Sequence, residues 1–141
     1  MKKILIVNAN YYNDISSGLI DGAKYVLRNN KKLNISIINA PGVFEIPFII
    51  KKYISKFEAF IALGCVIKGQ TPHFNFISKT TFDAIMRISV EYQKPIGNGI
   101  ITALNKNQAK KRSSINSKKT NKGSEASNAV IMILKNGPKK K

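Results

Sequence analysis

The sequence predicts an α/β fold: a three-layer sandwich with a four-stranded parallel sheet and helices on both faces. Three observations carry this. Four short apolar runs recur along the chain, and stretches with 3.6-residue apolar spacing lie between them. The runs are apolar almost throughout rather than alternating, as in strands covered on both faces.

The first run is Lys3–Val7, and the second is Leu33–Ile38, bounded by Asn-rich turns. The third is Ala59–Ile67 and the fourth Ile96–Leu104. Their lengths suit strands. Between them, Ile15, Leu19, Ala23, Val26 and Leu27 form one helical stripe, and Ile46, Ile49, Ile50, Tyr53 and Ile54 a second. Ile77, Ala84, Ile85, Ile88 and Tyr92 form a third, and Ala126, Ala129, Val130 and Ile133 a last. Ordinary core packing explains every stripe. Right-handed crossovers put helices on both sheet faces, and ligands in such folds bind beyond the carboxyl ends of the strands. Lys110–Lys122 is polar and basic, and reads as a short helix end followed by an exposed loop. Residues 1–136 read as one domain, and Gly137–Lys141 as a disordered basic tail.

A chain of 141 residues fits one domain with a single core of ordinary size. Its 43% hydrophobic content indicates a folded globule. Cys65 is the only cysteine, so no disulfide forms within the chain and a cytoplasmic setting is favoured. One cysteine and one histidine cannot build a conventional zinc site. The apolar start is short and ends at Asn8 and Asn10, as a first strand does and a signal peptide does not. No segment reaches the roughly 18–20 apolar residues of a membrane span.

The net charge is +17, from 24 basic and 7 acidic residues. Nucleic-acid binding is one reading of that excess. Lysine-rich compositional drift is the favoured one, because the only arginines are Arg28, Arg87 and Arg112, and the lysines are scattered. No nucleic-acid partner is therefore expected, although a basic field draws in anionic substrates.

Four stretches after the strands could carry chemistry. After the third run, Gly69 permits a tight turn, Thr71 suits a helix N-cap and Pro72 the first helical position. A helix start there would hold phosphate. His73, the only histidine, follows on the first turn, either as a proton shuttle or as a group that helps cap the helix. After the second run, Pro41–Pro47 contains Glu45, which either accepts ligand hydroxyls or stabilises a helix N-terminus. After the first run, Tyr11 or Tyr12 either stacks on a planar ring or packs under a loop. After the fourth run, Arg112 either grips phosphate or belongs to a solvated basic face. Downstream, Asn121–Ala126 reads as a glycine turn entering the last helix.

Together these stretches resemble lumazine synthase, in order from about Ile4 to Met132. The most specific pieces are Pro41–Pro47, Ala62–His73, Gln108-Ala109 with Arg112, and Asn121–Ala126. The resemblance implies a flavodoxin-like fold and a cofactor-free, metal-free reaction in the penultimate step of riboflavin biosynthesis. In it, 5-amino-6-(D-ribitylamino)uracil and 3,4-dihydroxy-2-butanone 4-phosphate give 6,7-dimethyl-8-ribityllumazine, phosphate and water. It implies that His73 transfers protons, that Arg112 and the backbone at Gln70 and Thr71 bind phosphate, and that Tyr11 stacks on the pyrimidine. Val43, Phe44 and Glu45 would hold the ribityl chain. Val66, Ile67 and Lys68 would flank the ring, and Asn98 and Lys122 would line the pocket. It further implies a homopentamer with sites at subunit interfaces, where Asn98, Arg112 and Lys122 of one chain face Tyr11, Glu45 and His73 of the next.

Some members form sixty-subunit shells. A start close to the first strand and a long linker from Ser113 to Thr120 favour an isolated pentamer instead. Asn10, Lys68 and Lys111 depart from residues frequent in the family. The competing reading is a non-catalytic, basic, flavodoxin-like binding module, which leaves the joint presence of His73, Glu45 and Arg112 unexplained.

Overall fold

A computed structural model describes residues 1–116 and 120–139. Four strands, β1 (Lys2–Ala9), β2 (Leu33–Ala40), β3 (Ala59–Ile67) and β4 (Ile96–Ala103), form one sheet in the order β2-β1-β3-β4. All pairings are parallel. Five helices connect or follow them: α1 (Asn13–Leu27), α2 (Ile46–Lys52), α3 (His73–Tyr92), α4 (Lys106–Ser113) and α5 (Lys122–Lys135). A single 3-10 turn, Val43–Glu45, leads into α2. The predicted three-layer α/β class is the observed one.

The strand alternation divides the core in two. Ile4 and Ile6 of β1, with Ile61 and Leu63 of β3, pack on Ile15 and Leu19 of α1 and Val130 of α5. Leu5 and Val7, with Phe60 and Ala62, pack on Ile46 and Ile50 of α2 and Ile85 of α3. Successive side chains point to opposite faces, so a strand serving both clusters must be apolar throughout. β1 and β2 run two residues further than the predicted strands, to Ala9 and Ala40. Asn8 and Asn39 fit within them because their side chains bond each other across the pair at 3.3 Å.

Two helix starts and one turn differ from expectation. Pro72, not Thr71, is the N-cap of α3, and its carbonyl accepts the first helical bonds from the N–H groups of Asn75 and Phe76. The helix therefore starts at His73. Gly69 leaves β3 without a left-handed φ, and a side chain there would meet nothing, so that turn does not require glycine. Gly123 lies inside α5 rather than in a turn. Its place is set by closeness, since a Cβ there would collide with the Leu19 carbonyl of α1. Gly18 and Gly22 of α1 are confined in the same way, against Ser113 and Asn121. These three glycines let α1 meet the elements across from it almost backbone to backbone.

The end of α4 and the stretch after it are less open than their composition suggests. Ser113 is buried and Asn121 is fully buried. Asn121 caps α5 by accepting the Ser124 N–H at 3.1 Å, and donates to the carbonyls of Gly18 at 3.1 Å and Ser114 at 3.2 Å. Gly137, Pro138 and Lys139 are exposed and lack regular structure. The rest of the predicted tail, Lys140 and Lys141, and residues 117–119 of the predicted loop lie outside the described residues.

Candidate functional site

The carboxyl ends of β1, β2 and β3 present one group of predicted residues. After β1, Tyr11 stands 74% exposed, its ring edge-on to Tyr12 with centroids 5.0 Å apart. Tyr12 turns inward against the α1 side of the core, and burial raises its phenol pKa. The turn bearing Tyr11 is fixed from below. Ser16 of α1 donates to the Ala9 carbonyl at 3.1 Å and lies 3.2 Å from Asn8 Oδ1.

After β2, the 3-10 turn exposes Phe44 and half-buries Glu45. Val43 is different: its side chain is buried against Gly64 of β3. Its side chain is thus a core group, and only its backbone remains for a ligand. At the end of β3, Val66 and Ile67 are half-buried, and Lys68 continues the ladder through its N–H to the Ala103 carbonyl at 2.9 Å. Gln70, Thr71 and His73 are exposed around the start of α3. The first-turn N–H groups of a helix have no partner within it, which suits an anion.

A second group gathers at the sheet's other edge. Asn98, Arg112 and Lys122 line one cavity of about 440 Å³, together with Phe82 of α3 and Glu125 of α5. α4 brings Arg112 there. Asn105 accepts the Gln108 N–H at 2.9 Å, and Gln108 Oε1 accepts the Leu104 N–H at 2.8 Å, a reciprocal cap that fixes the helix start. Arg112 Nη1 then donates to the Thr102 carbonyl of β4 at 3.3 Å. Lys122 Nζ pairs with Glu125 Oε1 at 3.2 Å. Phe82 and Glu125 were not singled out from the sequence. Phe82 lies outside the predicted α3 stripe, and Glu125 lies in the stretch that reads as a glycine turn entering the last helix. None of Tyr11, Glu45 and His73 lines this cavity. A larger groove, about 1140 Å³ along α1 and β2, contains no predicted site residue.

The sequence model of the 6,7-dimethyl-8-ribityllumazine synthase family matches residues 1–136. The chain belongs to this family. Among lumazine synthases, it is 40% identical over 136 residues to that of Campylobacter jejuni subsp. doylei, covering 94% of this chain and 87% of the relative. The 6,7-dimethyl-8-ribityllumazine synthase of Campylobacter curvus is 37% identical over 137 residues, covering 94% and 86%. That of Campylobacter fetus subsp. fetus is 36% identical over the same length and shares.

Burial raises a second group in this lumazine synthase family member besides Tyr12, the Cys65 thiol of β3. Burial, and secondly the Asp14 carboxylate, push the Cys65 thiol up to about 11. The folded chain keeps a proton that the unfolded chain releases at the ordinary thiol pKa. The resulting stability is complete below about pH 8.5 and is lost as pH rises through about 11. Urea midpoints of the wild type are therefore expected to fall between pH 8.5 and 11 by more than those of Cys65→Ala. Parallel pH profiles for the two proteins would contradict this.

Proposed function

We propose that this chain is a working lumazine synthase, condensing 5-amino-6-(D-ribitylamino)uracil with 3,4-dihydroxy-2-butanone 4-phosphate. The observation that carries this reading is the gathering of Asn98, Arg112 and Lys122 around one cavity. Those positions come from three elements, β4, α4 and α5, and their types suit an anionic, oxygen-rich substrate. The reaction proceeds by imine formation between amine and ketone, elimination of phosphate and ring closure. These steps use acid–base chemistry and need no cofactor.

In this reading His73 moves protons, and Arg112 with the N–H groups at Gln70, Thr71 and the α3 start holds the phosphate. Tyr11 stacks on the pyrimidine, Glu45 accepts ribityl hydroxyls beside Phe44, and Val66, Ile67 and Lys68 flank the ring. The test is direct: purified protein with both substrates should yield the fluorescent lumazine, and no product would overturn the proposal. Arg112→Ala is expected to raise KM for the phosphorylated substrate about tenfold, since hydrogen bonds to charged groups exceed neutral ones. Unchanged kinetics toward that substrate would remove Arg112 from the site.

The functional site is proposed to lie between subunits of a homopentamer. Two observations support this. Among the described residues, Tyr11, Glu45 and His73 do not line the cavity that holds Arg112. In addition, α3 buries only Thr81 and Ile85 along its 20 residues. Phe76, Met86 and Val90 of α3 and Phe48 of α2 stay 65–72% exposed. Apolar surface of this extent marks an interaction face. A monomeric mass by light scattering at micromolar concentration would contradict the shared site. We place the protein in the cytoplasm on its single buried cysteine. Among the described residues, no helix is long and apolar enough to cross a membrane.

A further inference from the structure

We infer that the Asn98 carboxamide donates a hydrogen bond to an acceptor oxygen of a substrate, selecting that substrate by direction rather than by charge. The inference rests on the lumazine synthase reading and deepens it.

β4 is an edge strand, paired on one side only. Asn98 Oδ1 accepts the Ile100 N–H at 3.1 Å. A backbone N–H can only donate, so the side-chain atom facing it must be the oxygen. This fixes the amide orientation and leaves both hydrogens of Nδ2 for other partners. Among the described residues, Nδ2 donates to nothing. The side chain is exposed and lines the cavity that Arg112 and Lys122 share.

The strand sets the spacing of these groups. Asn98, Ile100 and Thr102 fall on one face by the two-residue period. The Thr102 carbonyl tethers Arg112, so the guanidinium stands at the carboxyl end of β4. Asn98 lies four residues back, roughly 13 Å along the strand. Arg112, Lys122 and the oriented amide are all donors, and Glu125 offsets only Lys122, its ion-pair partner. The cavity therefore favours an acceptor-only group at the Asn98 end. A pyrimidine carbonyl and a phosphate oxygen both have that chemistry.

Asn98→Asp separates this role from a structural one. Aspartate keeps the shape and still accepts the Ile100 N–H, but offers no donor. If Asn98 only caps the strand edge, Asn98→Asp should match the wild type in Tm and in both KM values. The donor role predicts an unchanged Tm with KM raised about tenfold for at least one substrate. Each KM is measured with the other substrate saturating, in about 0.3 M salt to screen repulsion by the new carboxylate. A rise confined to the ribitylaminouracil identifies a ring carbonyl as the acceptor. A rise confined to the butanone phosphate, with weaker inhibition by inorganic phosphate, identifies a phosphate oxygen. Asn98→Ser, too short to reach the substrate, should reproduce the rise and serves if the aspartate variant fails to fold. Unchanged KM for both substrates in a folded variant overturns the inference. A wild type that forms no lumazine overturns the functional reading instead.

Discussion

Asn121→Ala is expected to destabilise the fold by about 3 kcal/mol or more. The side chain is fully buried and holds three elements at once. Its oxygen caps α5, and its amide satisfies carbonyls of α1 at Gly18 and of the segment after α4 at Ser114. Loss of an N-cap alone costs about 1 kcal/mol. Each acceptor left unsatisfied in a buried setting adds about 1–3 kcal/mol. The packed side of Asn121 also faces Gly22, so alanine leaves a gap that neighbouring helix backbone cannot fill. Urea denaturation at fixed protein concentration should show a lower midpoint with unchanged slope, and Tm should fall by about 10 °C. A loss under about 1 kcal/mol would mean that water replaces these bonds at little cost.

His73→Ala should lower kcat about 100-fold without abolishing turnover. A positioned general acid–base contributes about 10²–10⁴-fold. Much of the remaining acceleration comes from holding amine and ketone in an attack geometry, and alanine leaves that intact. His73 stands exposed at the first position of α3, so its removal disturbs little packing. KM for both substrates should change less than kcat does. Complete loss of activity in a folded variant would show that the histidine does more than transfer protons.

The central strands β1 and β3 were legible because a parallel strand covered on both faces has almost no polar position to obscure it, whereas edge strand β2 exposes Asn34, Ser36 and Asn39. Residues such as Phe60 and Ile61 point to different clusters, yet both must be apolar. The loops were legible in part. His73, Glu45 and Arg112 stood out as chemically apt types in the stretches after strands; the structure puts Glu45 and His73 soon after β2 and β3, and Arg112 on α4, tethered to the end of β4. Thr71 misled because a proline can itself occupy the capping position when its carbonyl accepts the first bonds. The packing of the Val43 side chain against Gly64 was not legible, because it depends on a contact between β3 and the turn after β2. Asn121 was legible as part of the entry to the last helix, but its burial was not. In a polar, basic stretch a buried asparagine looks like any loop residue, and the Gly18 carbonyl that helps to bury it lies 103 residues away in the chain. The amide orientation of Asn98 was likewise invisible, since it depends on which backbone edge of β4 stays unpaired.

The near-contact of α1 with its neighbours gives the chain an uneven freedom to mutate. Lysine spreads over the surface because its long stem reaches water from almost any exposed backbone position. Compositional drift toward lysine can therefore rewrite much of the exterior without touching the fold. At Gly18, Gly22 and Gly123 the smallest added side chain already meets backbone or the Asn121 amide. Those positions are closed to the same drift. The molecule thus combines a surface open to compositional drift with an inner seam on which drift has no purchase.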